Sequence, residues 1–131
     1  MAEGNFLVAV IDDDTSVRKA LSRLLTTAGF QVDSYAGGAH FLESLARRVP
    51  HCAIVDLHMP NMNGLELQAR IVASGLHVPV IIITANDEPT LRERALAAGA
   101  AGYLAKPFSD EILLAAVAAA NRVLEPGLNG E

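Results

Sequence analysis

Cysteine is nearly absent: Cys52 is the only one in 131 residues. That excludes an internal disulfide framework and fits a reducing compartment. There is no tryptophan, and four phenylalanines and two tyrosines make up all the aromatic content, so surfaces for stacking nucleic-acid bases are not expected. Basic side chains are outnumbered, ten against fifteen acidic ones, for a formal charge of -5. Nucleic acid and anionic membranes would both be repelled, which argues against either as a direct partner. No apolar stretch reaches the roughly 18 residues needed to cross a bilayer. The opening MAEGNF has no basic segment leading into an apolar run, unlike a secretory signal. Disorder is excluded as well, because apolar residues make up 51% and charged ones only 19%. The expectation is one globular, cytoplasmic domain, since domains commonly run to roughly 100–200 residues.

What is present is a regular alternation. Phe6 to Ile11 is an unbroken apolar run, as in a strand covered on both faces. Val17, Leu21, Leu24, Leu25 and Ala28 then recur at helical spacing, with Gly29 as the stop. Phe30 to Tyr35 reads as a second strand, and Phe41, Leu42 and Leu45 as a short helix. Cys52 to Val55 forms a third strand, ending at Asp56, and Leu65, Leu67, Ile71 and Val72 the next helix. Val78 to Ile83 is a fourth strand, β-branched almost throughout. Pro89 opens an alanine-rich helix that ends at Gly99, and Ala101 to Leu104 is a weaker fifth strand. Ser109 is placed to cap a last helix running to about Val123. Residues 1–123 therefore read as the domain, and 124–131 as a tail or truncated linker. Five strand–helix units imply an α/β fold, with a five-stranded parallel sheet covered by helices on both faces.

In such sheets the functional crevice lies at the carboxyl ends of the strands. Those ends carry Asp12, Asp13 and Asp14 after the first strand, Asp56 after the third, Thr84 after the fourth and Lys106 after the fifth. A nucleotide-binding sheet would have a glycine-rich turn at the first position, whereas three carboxylates stand here. An anion cannot approach that corner unless a cation precedes it, and Mg²⁺ suits such ligands. Asp56 can act as a nucleophile that accepts a phosphoryl group. The cation, the Lys106 ammonium and the Thr84 hydroxyl would then neutralise the three phosphoryl oxygens. Asp14 fits best as a helix N-cap.

These motifs resemble the receiver domains of two-component response regulators over residues 6 to about 123. DLHMPNMNG, Asp56 to Gly64, is similar to the family's D-x-x-M-P-x-x-x-G phosphorylation loop. LAKPF (Leu104 to Phe108), VIDDD and IIITA complete the set. The resemblance implies a doubly wound, flavodoxin-like fold with strand order 2-1-3-4-5, and that Asp56 is phosphorylated by a sensor histidine kinase. It also implies that Asp13 binds Mg²⁺ directly, Asp12 through water, and His58 through its backbone carbonyl. Ala85 would leave room for the phosphoryl group to enter. Thr84 and Tyr103 would form the switch, and the Lys106–Pro107 bond would be cis. The spacing looks most like the FixJ-like group, in which a helix-turn-helix output domain follows the receiver. Such a chain accepts and loses its own phosphoryl group without being an enzyme for other substrates.

The last helix leaves little polar surface, with Ile112, Leu113, Val117 and alanines at 115, 116 and 118–120. A dimer or partner surface on the last two helices and the fifth strand is one reading, and a bland outer face the other. His40, His51, His58 and His77 lack metal-ligand spacing and are expected in loops or on the surface. Three further readings stay open at this point. The chain could be a stand-alone relay receiver, or an interaction module that is never phosphorylated. It could also be a small Mg²⁺-dependent phosphohydrolase of the haloacid-dehalogenase type, using Asp12 and Asp14.

Overall fold

Strand residues point alternately to the two faces of a sheet, and here both sets are apolar, so the sheet has to be covered twice. In the computed structural model, which describes residues 6–124, the strands are β1 (Leu7–Ile11), β2 (Gln31–Tyr35), β3 (Cys52–Asp56), β4 (Val80–Thr84) and β5 (Gly102–Ala105). The helices are α1 (Thr15–Thr27), α2 (Gly38–Ser44), α3 (Gly64–Ala73), α4 (Pro89–Ala97) and α5 (Asp110–Leu124). All strands are parallel, in the order β2-β1-β3-β4-β5.

Val8 and Val10 of β1, Ile54 of β3, and Ile81 and Ile83 of β4 pack with Leu21 and Leu25 of α1 and Leu113 and Val117 of α5. The alternate residues, Ala9, Ile11, Ala53, Val55 and Ile82, pack with Phe41 of α2, Leu67 and Ile71 of α3, and Ala95 of α4. The three central strands are buried along their whole length. Edge strand β2 is nowhere fully buried and carries Gln31, Asp33 and Ser34.

The start of β4 differs from the sequence reading for a local reason, while the stop of α1 and the cap of α5 fall where that reading put them. β4 begins at Val80 rather than Val78, because Pro79 has no N–H to donate to the ladder. Its carbonyl still accepts from Ala53 N–H at 2.9 Å. α1 runs to Thr27 with Ala28 as its C-cap, and Gly29 adopts the left-handed φ of 102° that stops the helix. Ser109 caps α5 by accepting from Ile112 N–H at 3.1 Å. The helix extends through Leu124, and the remainder of the expected tail lies outside the described residues.

α4 differs from its neighbours in having little to hold it. It buries one side chain, Ala95, and leaves Leu96 45% exposed. No described helix is long and apolar enough to cross a membrane.

Candidate functional site

Register brings the polar strand ends together. Ile11 pairs with Val55, so Asp12 emerges beside Asp56, and Asp56 in turn pairs with Ile83. Thr84 pairs with Ala105, which sets Lys106 one residue beyond, and Lys106 N–H donates to the Thr84 carbonyl at 2.7 Å. This is the switch point between β1 and β3, from which chain connections leave to opposite faces of the sheet.

Three carboxylates meet there. Ligand oxygens of Asp12, Asp13 and Asp56 all lie within 4.8 Å of one another. Asp12 is 1% exposed and Asp56 6% exposed, whereas Asp13 is open to solvent. The Lys106 ammonium lies 3.3 Å from Asp12 Oδ2 and 3.8 Å from Asp56 Oδ1. One ammonium thus faces three acids, and the deficit appears in the chemistry of Asp56. Burial, then the charge of Asp12, raises its carboxyl above the ordinary value, against the opposing influence of Lys106 and of the His58 N–H.

The DLHMPNMNG motif, Asp56 to Gly64, has a steric basis. A Cβ on Gly64 would come within 2.8 Å of the Asp56 carbonyl oxygen and 3.0 Å of Leu57 Cα. Gly64 N–H donates to the Leu57 carbonyl at 2.9 Å, closing the loop tightly beneath Asp56. Asn63 and Glu66 then start α3 with a reciprocal capping box.

Thr84 is fully buried, and its Oγ1 accepts from Asn86 N–H at 3.0 Å, which leaves the hydroxyl proton free to donate elsewhere. Ala85 is exposed at the mouth. The Lys106–Pro107 peptide is cis, as the resemblance implied. Tyr103 is turned inward, 6% exposed, with the Arg92 guanidinium 5.4 Å from its ring centroid. Its hydroxyl has no well-formed hydrogen bond. Burial and the neighbouring Asp87 carboxylate push the phenol above its usual range.

A computed family model of the response regulator receiver domain matches residues 8–118. The chain belongs to that family. This receiver domain is 39% identical over 112 residues to the transcriptional regulatory protein FixJ of Azorhizobium caulinodans, an alignment covering 86% of this chain and 53% of that protein. A crystal structure of a response regulator receiver protein from Burkholderia phymatum is 45% identical with a TM-score of 0.80, covering 89% and 95% of the two chains. The structure of FixJ-N is 31% identical with a TM-score of 0.86, covering 92% and 96%. The chain spans about half the length of the curated relatives it matches.

Asp14, which the phosphohydrolase reading required at the reaction centre, is instead the N-cap of α1. Its Oδ1 accepts from Ser16 N–H at 2.8 Å and Val17 N–H at 3.3 Å. The four histidines are all exposed, but His51 has a structural task that its type and position do not signal. Its Nδ1 accepts from Leu7 N–H at 3.0 Å, its own N–H donates to the Leu7 carbonyl, and its ring stacks on Phe6. Burial pushes the Cys52 thiol up to about 12, so it is an inert packing group. Sequence reasoning also passed over Arg18, whose guanidinium reaches the Asp12 main chain. Its position one turn beyond the acidic triplet was the available signal.

Proposed function

We propose that Asp56 is the phosphoacceptor of this receiver domain, taking its phosphoryl group from a phosphohistidine of a sensor kinase. The observation that carries this reading is the meeting of Asp12, Asp13, Asp56 and Lys106 at three strand ends. The donor set suits Mg²⁺, being three hard carboxylate oxygens with one ammonium for compensation. Asp12, Asp13, Asp56 and the His58 backbone carbonyl would hold the ion, with Asp12 acting through water. Once bound, it supplies positive charge to the phosphoryl oxygens.

An Asp56 carboxylate oxygen forms a new P–O bond as the P–N bond of the donor breaks, and the electron pair leaves on the imidazole nitrogen. Lys106 is within a side-chain movement of a second phosphoryl oxygen, and the Thr84 hydroxyl donates to a third. Ala85 leaves the approach open. Hydrolysis of the acyl phosphate returns Asp56 to a carboxylate, so the cycle is self-phosphorylation and self-dephosphorylation.

The readout would run through Thr84, Tyr103 and α4, which is held by one buried alanine. Ile112 is 51% exposed and Leu96 45% exposed, which supports a dimer or partner surface along α4, β5 and α5. In a longer protein the receiver would regulate a transcriptional output domain, while by itself it would act as a relay. Intact-mass measurement after incubation with acetyl phosphate and Mg²⁺ tests the assignment. One phosphoryl adduct in the wild type, lost in Asp56→Asn, is expected. An adduct of equal yield in the variant, or none in either protein, would overturn it.

A further inference from the structure

Arg18 stands one helical turn beyond the acidic corner, half-buried, and takes no part in the chemistry above. Its Nη1 donates to the main-chain carbonyl of Asp12 at 2.6 Å, and its Nη2 to Thr15 Oγ1 at 3.1 Å. The first carbonyl that can enter the α1 ladder is that of the N-cap, Asp14, which accepts from Arg18 N–H at 3.0 Å. The Asp12 carbonyl precedes it and has no helical donor of its own. The guanidinium fills that place with a charge-assisted bond, and Thr15 steadies its second nitrogen.

The planar peptide carries the consequence to the next residue. The Asp12 carbonyl and the Asp13 amide belong to one rigid unit, so pinning the oxygen sets the direction in which the chain enters Asp13. The rest of Asp12 is already held. Its N–H donates to the Tyr35 carbonyl at 3.1 Å, its Oδ1 accepts from Asp14 N–H at 2.9 Å, and its Oδ2 faces Lys106. Asp13 is exposed, yet its carboxylate falls within the same 4.8 Å cluster as Asp12 and Asp56. We infer that Arg18 is a positioning residue for the cation site, holding the Asp12–Asp13 peptide so that Asp13 completes the three-carboxylate set. The inference rests on the metal reading of this corner.

Charge and position make opposite predictions. As a charge alone, a guanidinium beside a cation site weakens cation binding. As a brace, it strengthens binding by holding a ligand in place, in the way outer partners of metal ligands do.

Calorimetric titration with Mg²⁺ separates the two, using wild type, Arg18→Met, Arg18→Lys and Thr15→Val, with metal-free thermal midpoints alongside. Arg18→Met is expected to bind Mg²⁺ about tenfold more weakly, even though it removes a positive charge. Thr15→Val should lose less in the same direction. Arg18→Lys, which can still donate through one nitrogen, should recover part of the loss. Unchanged or tighter binding by Arg18→Met would overturn the inference and leave the metal site standing. Wild type that binds no Mg²⁺ would overturn the metal reading beneath it. Should Arg18→Met fail to fold, wild-type affinity in both other variants would overturn the inference.

Discussion

Lys106 stands closer to Asp12, at 3.3 Å, than to Asp56, at 3.8 Å. The ammonium is therefore held in the resting site by the more deeply buried acid, across 94 residues of sequence. In the proposed reaction it would be stored beside the nucleophile rather than committed to it, a short movement from an incoming phosphoryl oxygen.

Removing that ammonium leaves two buried carboxylates without their cation. Lys106→Met is expected to lose about 2–3 kcal/mol in metal-free urea denaturation, the scale of a charged hydrogen bond with its partner stranded. Millimolar Mg²⁺ should recover much of this. A variant as stable as wild type without Mg²⁺ would contradict the pairing.

Asp56 makes a pH-dependent prediction whose sign follows from its raised carboxyl. Burial and the Asp12 charge hold it above the ordinary value of 3.8. The folded state thus binds this proton more tightly than the unfolded state, so ionisation costs stability. Stability falls as pH climbs from about 3.8 through the raised folded value, and the loss persists above it. Asp56→Asn removes the effect, so its thermal midpoint relative to wild type should increase over that window and then level off. A difference that stays flat from about pH 3.5 to neutrality would refute the attribution.

Gly64 is required by space rather than by backbone freedom. Gly64→Ala places a methyl 2.8 Å from the Asp56 carbonyl oxygen, where the neighbouring atoms are backbone and cannot yield cheaply. Destabilisation of about 1–3 kcal/mol is expected, with slower phosphoryl uptake from acetyl phosphate because the Asp56 loop moves. Wild-type rates and stability together would show that the loop has more room than its geometry indicates.

His51 fastens the start of β1 from the opposite end of the sheet. His51→Ala should cost about 1–2 kcal/mol in denaturant unfolding, since the Leu7 N–H loses its acceptor and Phe6 its stacking partner. Phosphoryl uptake at Asp56 should be unaffected, which distinguishes this residue from those in the site.

The fold was legible because each central strand is an apolar run and every helix but α2 begins or ends on a residue with a local reason. Asp14 caps α1, Ser109 caps α5, and Gly29 stops α1 with a positive φ. The strand-end residues Asp12, Asp56, Thr84 and Lys106 were legible for the same reason, since runs of side chains mark where strands stop. Arg18 and His51 were not. Each acts on the main chain of another residue, and a hydrogen bond to a carbonyl or an amide leaves no mark on the identity of the residue that receives it.

Sequence alone determined the alternation of elements, the two buried faces of the sheet and the inventory of charged groups at its carboxyl edge. Those depend on periodicity and local capping, which act over a few residues. Only the tertiary structure decided that Asp12 is shut away while Asp13 stays open, that Lys106 is shared between two acids, and that Arg18 reaches the Asp12 carbonyl. Strand register and burial set those relationships, and they exist only once segments far apart in the chain lie side by side.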